Sequence, residues 1–488
     1  MTNRLARLRG AVAAALILGG VAYTANPAAG KETFTPFMTP ADEARVGREQ
    51  HAKVVKQFGG AYDDPELARY VDSIGRLLAS TSERPGLEFT FTILDTPIVN
   101  AFALPGGYVY VSRGLIGLAG NEAELAGVLA HEIGHIAARH AAERYSRNVL
   151  AGIGLTILGV LSGSEELQNI AGLGAELVLK GYSREQEMEA DILGVRYLTR
   201  VGFEPHAMSS FLGRLQAHDA LEAKALGRAG EGDGFSLLST HPRTSDRIEQ
   251  AIRAAGATSV REPIVARDIY LGKIDGLIYG DSPDQGFVKG RLFVHPRLGF
   301  RFEVPPRFRL LNAEDRVLAL GPEGARIVFS GGQRDPRMAM TRYLVSVWGR
   351  ELALKDVEAI TVGGLEAATG WTRIDTRSGR MDLRLVAIAF DARTAYRFVF
   401  LSPPRLTGSL SLPYRRTTYS FGRLSPAEAG RERPLRIRVV RVAPGNTPES
   451  LARRQPFETL SLERFRVLNG LGPGQPLRLG RLVKVVSE

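Results

Sequence analysis

His131-Glu132-Ile-Gly-His135 is the stretch of this 488-residue chain whose residue types and spacing carry the most specific chemistry. Two histidines four apart share one face of a helix and can offer two imidazole nitrogens to one cation, and the glutamate beside them can take a proton from water held there. A catalytic zinc takes three protein ligands and keeps one open position. The third ligand is expected in Gly181-Tyr-Ser183-Arg-Glu-Gln186-Glu187-Met-Glu189-Ala-Asp191. There Ser183 and Gln186 read as a capping box that starts a helix, and Glu187 and Asp191 fall four apart on one face of it. Glu187 is expected as the ligand, and Asp191 as acceptor for the second ring proton of a ligand histidine. His140 competes for the third place. It follows His135 by five residues with no glycine turn between, so on a continuing helix it points elsewhere and reads as a surface histidine or one behind a ligand. Glu185 and Glu189, two positions to either side of Glu187, read as solvated residues of that helix. The chain has no cysteine. That excludes disulfides and thiolate metal sites and leaves nitrogen and oxygen as the ligands.

The elements that must position these groups are legible nearby. Asn121 with Glu124 three residues on reads as a capping box, and Leu125, Val128 and Leu129 continue at helical spacing into the histidines. Thr39-Pro40 opens a helix to about Phe58. Asp64-Pro65 opens another, with a buried stripe of Leu67, Tyr70, Val71, Ile74, Leu77 and Leu78. Leu87, Phe89, Phe91 and Ile93 alternate as a strand does, and Tyr108 to Ser112 reads as a second strand after the Pro105-Gly-Gly107 turn; the two enclose Asn100 to Leu104.

Several motifs, in one order, carry a resemblance: Asn100-Ala-Phe-Ala-Leu-Pro-Gly-Gly107, His131-Glu132-x-x-His135, Glu187-x-x-x-Asp191, and Ser239-Thr240-His241-Pro242 with Arg247 six residues beyond His241. Over roughly residues 40 to 255 the chain resembles the HtpX-like and BepA-like zinc metallopeptidases, a family that includes the CAAX prenyl endopeptidases. The resemblance implies a mainly helical zincin-type domain with a small edge sheet and one Zn2+ per chain on His131, His135 and Glu187. It implies that Asn100, Ala101, Phe102 and Ala103 lie along the cleft as a sheet edge that can bind substrate as an added strand. It also implies that His241 can approach the zinc and fill its open position, which would make its loop a gate, and that Arg247 lies near the same site, where it could help hold an oxyanion. BepA-like proteins continue into helical tetratricopeptide repeats. No 34-residue periodicity follows here, so their assembly partners do not transfer.

Residues 1 to 30 have Arg4, Arg7 and Arg9, then an apolar run to about Tyr23, then small residues at Ala28 and Gly30. This is the layout of a secretory signal peptide, the alternative being an uncleaved anchor; both export the body of the protein, to the periplasm or cell envelope. A lipoprotein is excluded by the missing cysteine. Without those residues the formal charge of +11 becomes +8. A basic exported protein favours anionic envelope surfaces over nucleic acid, for which no module motif is present. The apolar runs at 149–161 and up to Leu179 fall short of the roughly twenty residues a membrane span needs. They read as helices over the cleft or as a surface for peripheral membrane contact.

Residue 203 to about 221 reads as a further helix, and another holds Arg247, Ile248 and Ile252. After about Arg261 strands and turns take over: Phe300, Phe302 and Val304 alternate, as do Leu383 and Leu385, with buried strands at Val386 to Phe390 and Ala395 to Leu401. Residues 262–425 read as a separate α+β module with no assigned chemistry, its His295-Pro296 being structural. Residues 431–488 resemble a LysM module of βααβ order through Val442-x-Pro-Gly445-Asn-Thr447, Val467-Leu-Asn469-Gly-Leu471 and Leu477-x-x-Gly480. That resemblance implies binding of peptidoglycan glycan. The segment carries 12 basic against 5 acidic residues, a net +7 that suits an anionic envelope polymer.

The expected whole is therefore an α+β chain in four parts: signal peptide 1–30, zinc metallopeptidase domain 31–261, α+β module 262–425 and LysM-like module 431–488. The expected activity is endopeptidase action on unfolded or misassembled envelope proteins, with Glu132 as base. The alternative is a cell-envelope binding or chaperone-like protein whose zinc site is closed and structural. A structural site has no need of a glutamate at position 132. A glycan-acting enzyme lacks a carboxylate pair that could be placed on a sugar.

Overall fold

Proline and its capping neighbour start the first two helices as expected. In α1 (Pro40–Gln57) the Thr39 hydroxyl accepts from the Asp42 amide and the Asp42 carboxylate accepts from the Thr39 amide; in α2 (Pro65–Ala79) Asp64 accepts from the Leu67 amide. The buried face of α2 is Leu67, Val71, Ile74 and Leu78, but Leu77, expected in that stripe, is 48% exposed. It lies roughly 100° round the helix from Leu78, which turns it off the packed face.

The computed structural model describes residues 35, 37–147, 181–225, 237, 241, 245–256, 260–312, 316–376, 379–457 and 459–488. The expected signal peptide, both apolar runs, and Ser239, Thr240 and Pro242 lie outside the described residues. Among the described residues, no helix is long and apolar enough to cross a membrane.

Strands β1 (Thr90–Leu94), β2 (Ala101–Leu104) and β3 (Tyr108–Ser112) form a sheet in the order β1-β3-β2, with β1 parallel and β2 antiparallel to β3. The segment 100–104 is thus a third, outer strand. Helix α1 presses on the turn that joins it to β3: a Cβ at Gly47 would lie 2.3 Å from the Pro105 carbonyl oxygen, so only glycine lets the two meet. A short helix α3 (Arg113–Leu118) leads into α4 (Glu122–Ala137), in which every residue from Ala123 to Ile136 is buried. A helix enclosed on all sides can carry polar groups only where they find partners.

Two more helices, Arg184–Arg200 and Ala207–Ala225, pack on α4, and Ser245–Gly256 packs on both. Beyond them a seven-stranded antiparallel sheet runs from Lys355–Val362 at one edge to Arg309–Asn312 at the other. With a four-stranded sheet and the helix Pro404–Ser420 it encloses an aromatic core that includes Phe293, Phe300, Phe302, Phe329 and Phe398. Helix and sheet are mixed, as an α+β chain requires.

The last residues have the β-α-α-β order: Leu435–Arg441, Pro448–Ala452, Ser461–Asn469 and Leu482–Ser487, with the two strands paired antiparallel. They do not stand apart. Ile278 and Tyr279 add a third strand beside Arg436 and Leu435, and Ile437, Leu468 and Val486 belong to the same hydrophobic core as α2 and α4. Lys484, counted among the basic residues of this end, is buried. Its Nζ donates to the carbonyls of Gly117, Leu118 and Ala119 at 2.7, 3.1 and 2.8 Å, closing the end of α3.

Candidate metal centre

Two glycines let the histidine helix and the carboxylate helix touch. A Cβ at Gly134 would lie 3.0 Å from the Ala190 carbonyl oxygen, and one at Gly194 would lie 3.2 Å from the His131 amide. The backbones of α4 and Arg184–Arg200 therefore approach at the level of the ligands. The carboxylate helix starts as its sequence indicates, with Ser183 and Gln186 forming a complete capping box. The start of α4 differs. Asn121 accepts from the Glu124 amide at 2.8 Å, but the Glu124 carboxylate accepts from the Gly120 amide and from Ser210 and Arg214.

His131, His135, Glu187 and His241 each turn one ligand atom to a common point, all within 4.8 Å of one another and all four residues buried. The His131 and His135 Nε2 atoms are 3.0 Å apart, and Glu187 oxygens lie 3.6 and 3.5 Å from them. His241 Nδ1 sits 2.8 Å from Glu187 Oε1 and 3.3 Å from His131 Nε2. Three imidazoles and one carboxylate suit a borderline divalent ion such as zinc. Glu187 is oriented for this from behind, its Oε2 lying 2.8 Å from Arg247 Nη1.

Electrostatics follow from burial and neighbours. Burial pulls the His135 imidazole well below its usual range, which leaves it a neutral donor of a lone pair. Burial pushes the Glu187 carboxyl up, but the His241 charge and hydrogen bonds from His135 and His241 outweigh it and hold Glu187 well below the usual carboxylate range. Glu132 is different. Burial raises its carboxyl, neither oxygen has a hydrogen-bond partner among the described residues, and His241 Nε2 lies 3.5 Å from Oε1. A small apolar cavity lined by Val128, Met208, Phe211, Leu212 and Leu237 lies beside it.

The residues around the ligands sit as follows. Asp191 Oδ1 is 2.9 Å from His131 Nδ1, the place expected for it; burial pushes its carboxyl up, but His131 and Arg247 outweigh burial and hold it below the usual carboxylate range. Arg247 is fully buried, with Nε and Nη2 on Asp191 at 2.7 Å each and Nη1 on the Glu187 side. At the site the guanidinium therefore grips two carboxylates.

The expectation of a continuing helix at His140 is corrected. Helix α4 ends at Ala137, Arg139 takes a φ of 59°, and helix resumes at His140. The break is held from outside: the Arg139 guanidinium binds Glu43, the Thr35 hydroxyl and the Met38 carbonyl. It swings His140 back so that its Nδ1 lies 2.8 Å from His135 Nδ1, behind the ligand. Glu185 and Glu189 are exposed as expected, Glu189 reaching His140 Nε2 at 3.4 Å.

Asn100, Ala101, Phe102 and Ala103 lie at the outer strand, and all four are buried. Phe102 packs with Phe58 and Tyr110 in a separate cluster, so its side chain is committed to the core. Ala103 and Leu104 line a small cavity with His135 and Tyr182. Tyr182 was assigned no role from sequence. Its ring stacks on His135 with centroids 4.0 Å apart, under the Arg144 guanidinium, and burial pushes its hydroxyl up to about 12.

Residues 65–255 match the family profile described as Peptidase family M48. The chain is 31% identical over 231 residues to the Beta-barrel assembly-enhancing protease of Escherichia coli O157:H7, covering 45% of this chain and 46% of that one. It is 31% identical over 219 residues to the Mitochondrial metalloendopeptidase OMA1 of Schizosaccharomyces pombe, covering 43% of this chain and 59% of that one. It is 32% identical over 193 residues to the protein of the same name from Arabidopsis thaliana, covering 39% and 37%. The chain thus spans about half the length of the curated relatives it matches. The histidine and carboxylate helices both lie inside the range that matches this family profile.

Proposed function

We propose that the chain is an exported, zinc-dependent endopeptidase acting on unfolded or misassembled envelope proteins. The observation that carries this reading is Glu132, a buried carboxylate with no hydrogen-bond partner on either oxygen among the described residues, beside four converging ligand atoms. Such a group destabilises a fold unless it has work to do. Zinc, held by His131, His135 and Glu187, supplies Lewis acidity toward the scissile carbonyl and toward water when bound. Glu132 takes the proton of the attacking water and delivers it to the leaving amine nitrogen, and its raised proton affinity suits it to both steps. Asp191 fixes the tautomer of His131 by accepting from Nδ1, and Arg247 is a positioning residue that holds Asp191 and Glu187 in place. Asn100 to Ala103 offer substrate the backbone of an outer strand.

The four-part division of the chain, its zincin-type and LysM-like classes and its periplasmic or envelope address belong to the same proposal. So does contact of residues 431–488 with peptidoglycan or another anionic envelope polymer. Part of the charge there is already engaged inside the protein, by Lys484 at α3 and by Arg464 on Glu222. This favours a glycan held by neutral contacts over a purely electrostatic hold.

A second reading, a binding protein with a closed structural zinc, is favoured by one observation: His241 stands within the ligand set, 2.8 Å from Glu187. The test is cleavage of casein by the zinc-loaded full chain, with Glu132→Gln and His241→Ala in parallel and chelator controls. Cleavage by the wild type, lost in a Glu132→Gln protein that still binds zinc, supports the endopeptidase. Cleavage only after His241→Ala supports an endopeptidase whose fourth position His241 closes, and silence in every case moves the reading to the structural site.

A further inference from the structure

A histidine that gives its Nε2 lone pair to a cation carries its proton on Nδ1, and when the ring is buried that N–H needs an acceptor. Both histidines of α4 face this demand. Their Nε2 atoms lie 3.0 Å apart within the ligand cluster, and each Nδ1 faces away from it. For His131 the acceptor is a carboxylate, Asp191 Oδ1 at 2.9 Å. For His135 it is not. Its Nδ1 meets another imidazole nitrogen, His140 Nδ1, at 2.8 Å, with both rings buried.

Two ring nitrogens at that distance share one proton, so one donates and the other accepts. With the proton on His135 Nδ1, His140 Nδ1 is the acceptor and His140 carries its own proton on Nε2. A carboxylate stands on that side: Glu189 Oε2 lies 3.4 Å from His140 Nε2. The tautomers of both rings are thereby set in one direction, from the ligand cluster outward to a half-exposed carboxylate. This arrangement depends on the helix break. On an unbroken helix a residue five places after His135 would lie roughly 140° round the axis from it. The positive φ of Arg139, a conformation that a residue with a Cβ rarely takes, returns His140 to His135. The Arg139 guanidinium spans Glu43, Thr35 and Met38, which fixes the break from α1 and the segment before it.

We propose that His140, backed by Glu189, is the positioning residue of His135: it accepts from Nδ1, fixes the tautomer and the direction of the ring, and so keeps the Nε2 lone pair turned to the cation. Glu189 fixes His140 in turn by accepting from its Nε2. The inference rests on the metal site of the proposed reading and not on peptide cleavage. A packing role for His140 makes a different demand, since it needs only a side chain of that volume and no acceptor at the place of Nδ1.

The test is the zinc affinity of the full chain, measured by competition with a chromogenic chelator, together with the visible bands of the cobalt-loaded protein; the melt of the zinc-free protein checks folding. His140→Leu is expected to weaken zinc binding by about 10–100-fold, the usual effect of losing the partner that orients a ligand, and to shift the cobalt bands. His140→Asn, whose Oδ1 can stand where Nδ1 stood, is expected to restore zinc affinity to within about threefold and to return the bands. Glu189→Lys sets a donor against His140 Nε2 at an exposed position and is expected to weaken zinc binding by about threefold or more, whereas Glu189→Gln, still an acceptor, leaves it unchanged. A folded leucine variant with wild-type affinity, or an asparagine variant no better than the leucine one, would overturn the inference. If the leucine variant does not fold, Glu189→Lys decides, and unchanged affinity there overturns it. A wild-type chain that binds no zinc overturns the metal site of the proposed reading as well, which separates the two failures.

Discussion

Glu124 and Glu132 stand eight residues apart on one helix, 2% and 0% exposed, and they are treated in opposite ways. Glu124 is surrounded: the Gly120 amide at 2.7 Å, the Ser210 hydroxyl at 2.9 Å and two Arg214 nitrogens at 3.0 and 3.2 Å all donate to it. Glu132 has two oxygens and no donor among the described residues. Both carboxylates pay the desolvation penalty, but only Glu124 is compensated by the protein. The difference separates a buried charge that builds the fold from one held ready for another molecule. It also explains why the two ends of α4 behave differently: the first is tied to Arg214 and, through α3, to Lys484, whereas the second brings its histidines together with Glu187 and His241.

The sharpest way to break this comparison is Glu132→Gln. Cleavage is expected to fall by about 10²–10⁴-fold, the usual contribution of a general base, while the denaturant midpoint stays level or rises because an unpaired buried carboxyl has been removed. A midpoint that drops would make Glu132 a structural residue like Glu124. The complementary change, Glu124→Gln, is expected to cost about 2–3 kcal/mol, since it leaves the half-buried Arg214 beside an uncharged partner. Chemical denaturation followed by helical circular dichroism reads this, and a cost near zero would mean that the satisfied glutamate contributes little.

Lys484→Met carries the comparison to the other side of the junction. It strips three carbonyls at the end of α3 of their donor and is expected to cost about 2–3 kcal/mol, with the change seen in the melt of the peptidase helices as well as of the last module. A melt confined to the last module would show that the two parts unfold independently.

The smallest effect concerns His295, a buried ring in the middle module whose Nδ1 accepts only from the Leu298 amide at 3.3 Å among the described hydrogen bonds. Burial pulls this imidazole from 6.5 down to about 4. The unfolded chain therefore binds the proton first. Stability from this group is complete above pH 6.5 and is lost as the pH falls toward about 4, with no further loss below. The loss is expected to be about 2 kcal/mol after allowance for solvent screening, and His295→Leu should flatten it. Both tryptophans, Trp348 and Trp371, lie in this module, so its unfolding can be followed by their fluorescence alone.

How much of this was legible depends on the range over which each feature is determined. The caps at Thr39, Asp64 and Ser183 and the pairing of His131 with His135 follow from residues within one or two turns, and the helices realise them. The β-α-α-β order of the last residues was expected from a resemblance and not from local caps or periodicity. The break at Arg139 was not legible, because no glycine or proline marks it; it is imposed by Glu43, Thr35 and Met38 from about a hundred residues earlier. Nor was the stacking of Tyr182 on His135, which needs two helices already docked.

By itself the sequence determined the ligand types, their spacing along each helix and the carboxylate beside them, since a helix places side chains four apart on one face whatever surrounds it. Only the tertiary structure decided that Arg247 turns to Asp191 and Glu187 and that Lys484 is buried against α3. These are meetings of residues far apart in the chain. Dry surroundings force each charge onto whatever partner the packing brings within reach, and local sequence does not specify which partner that will be.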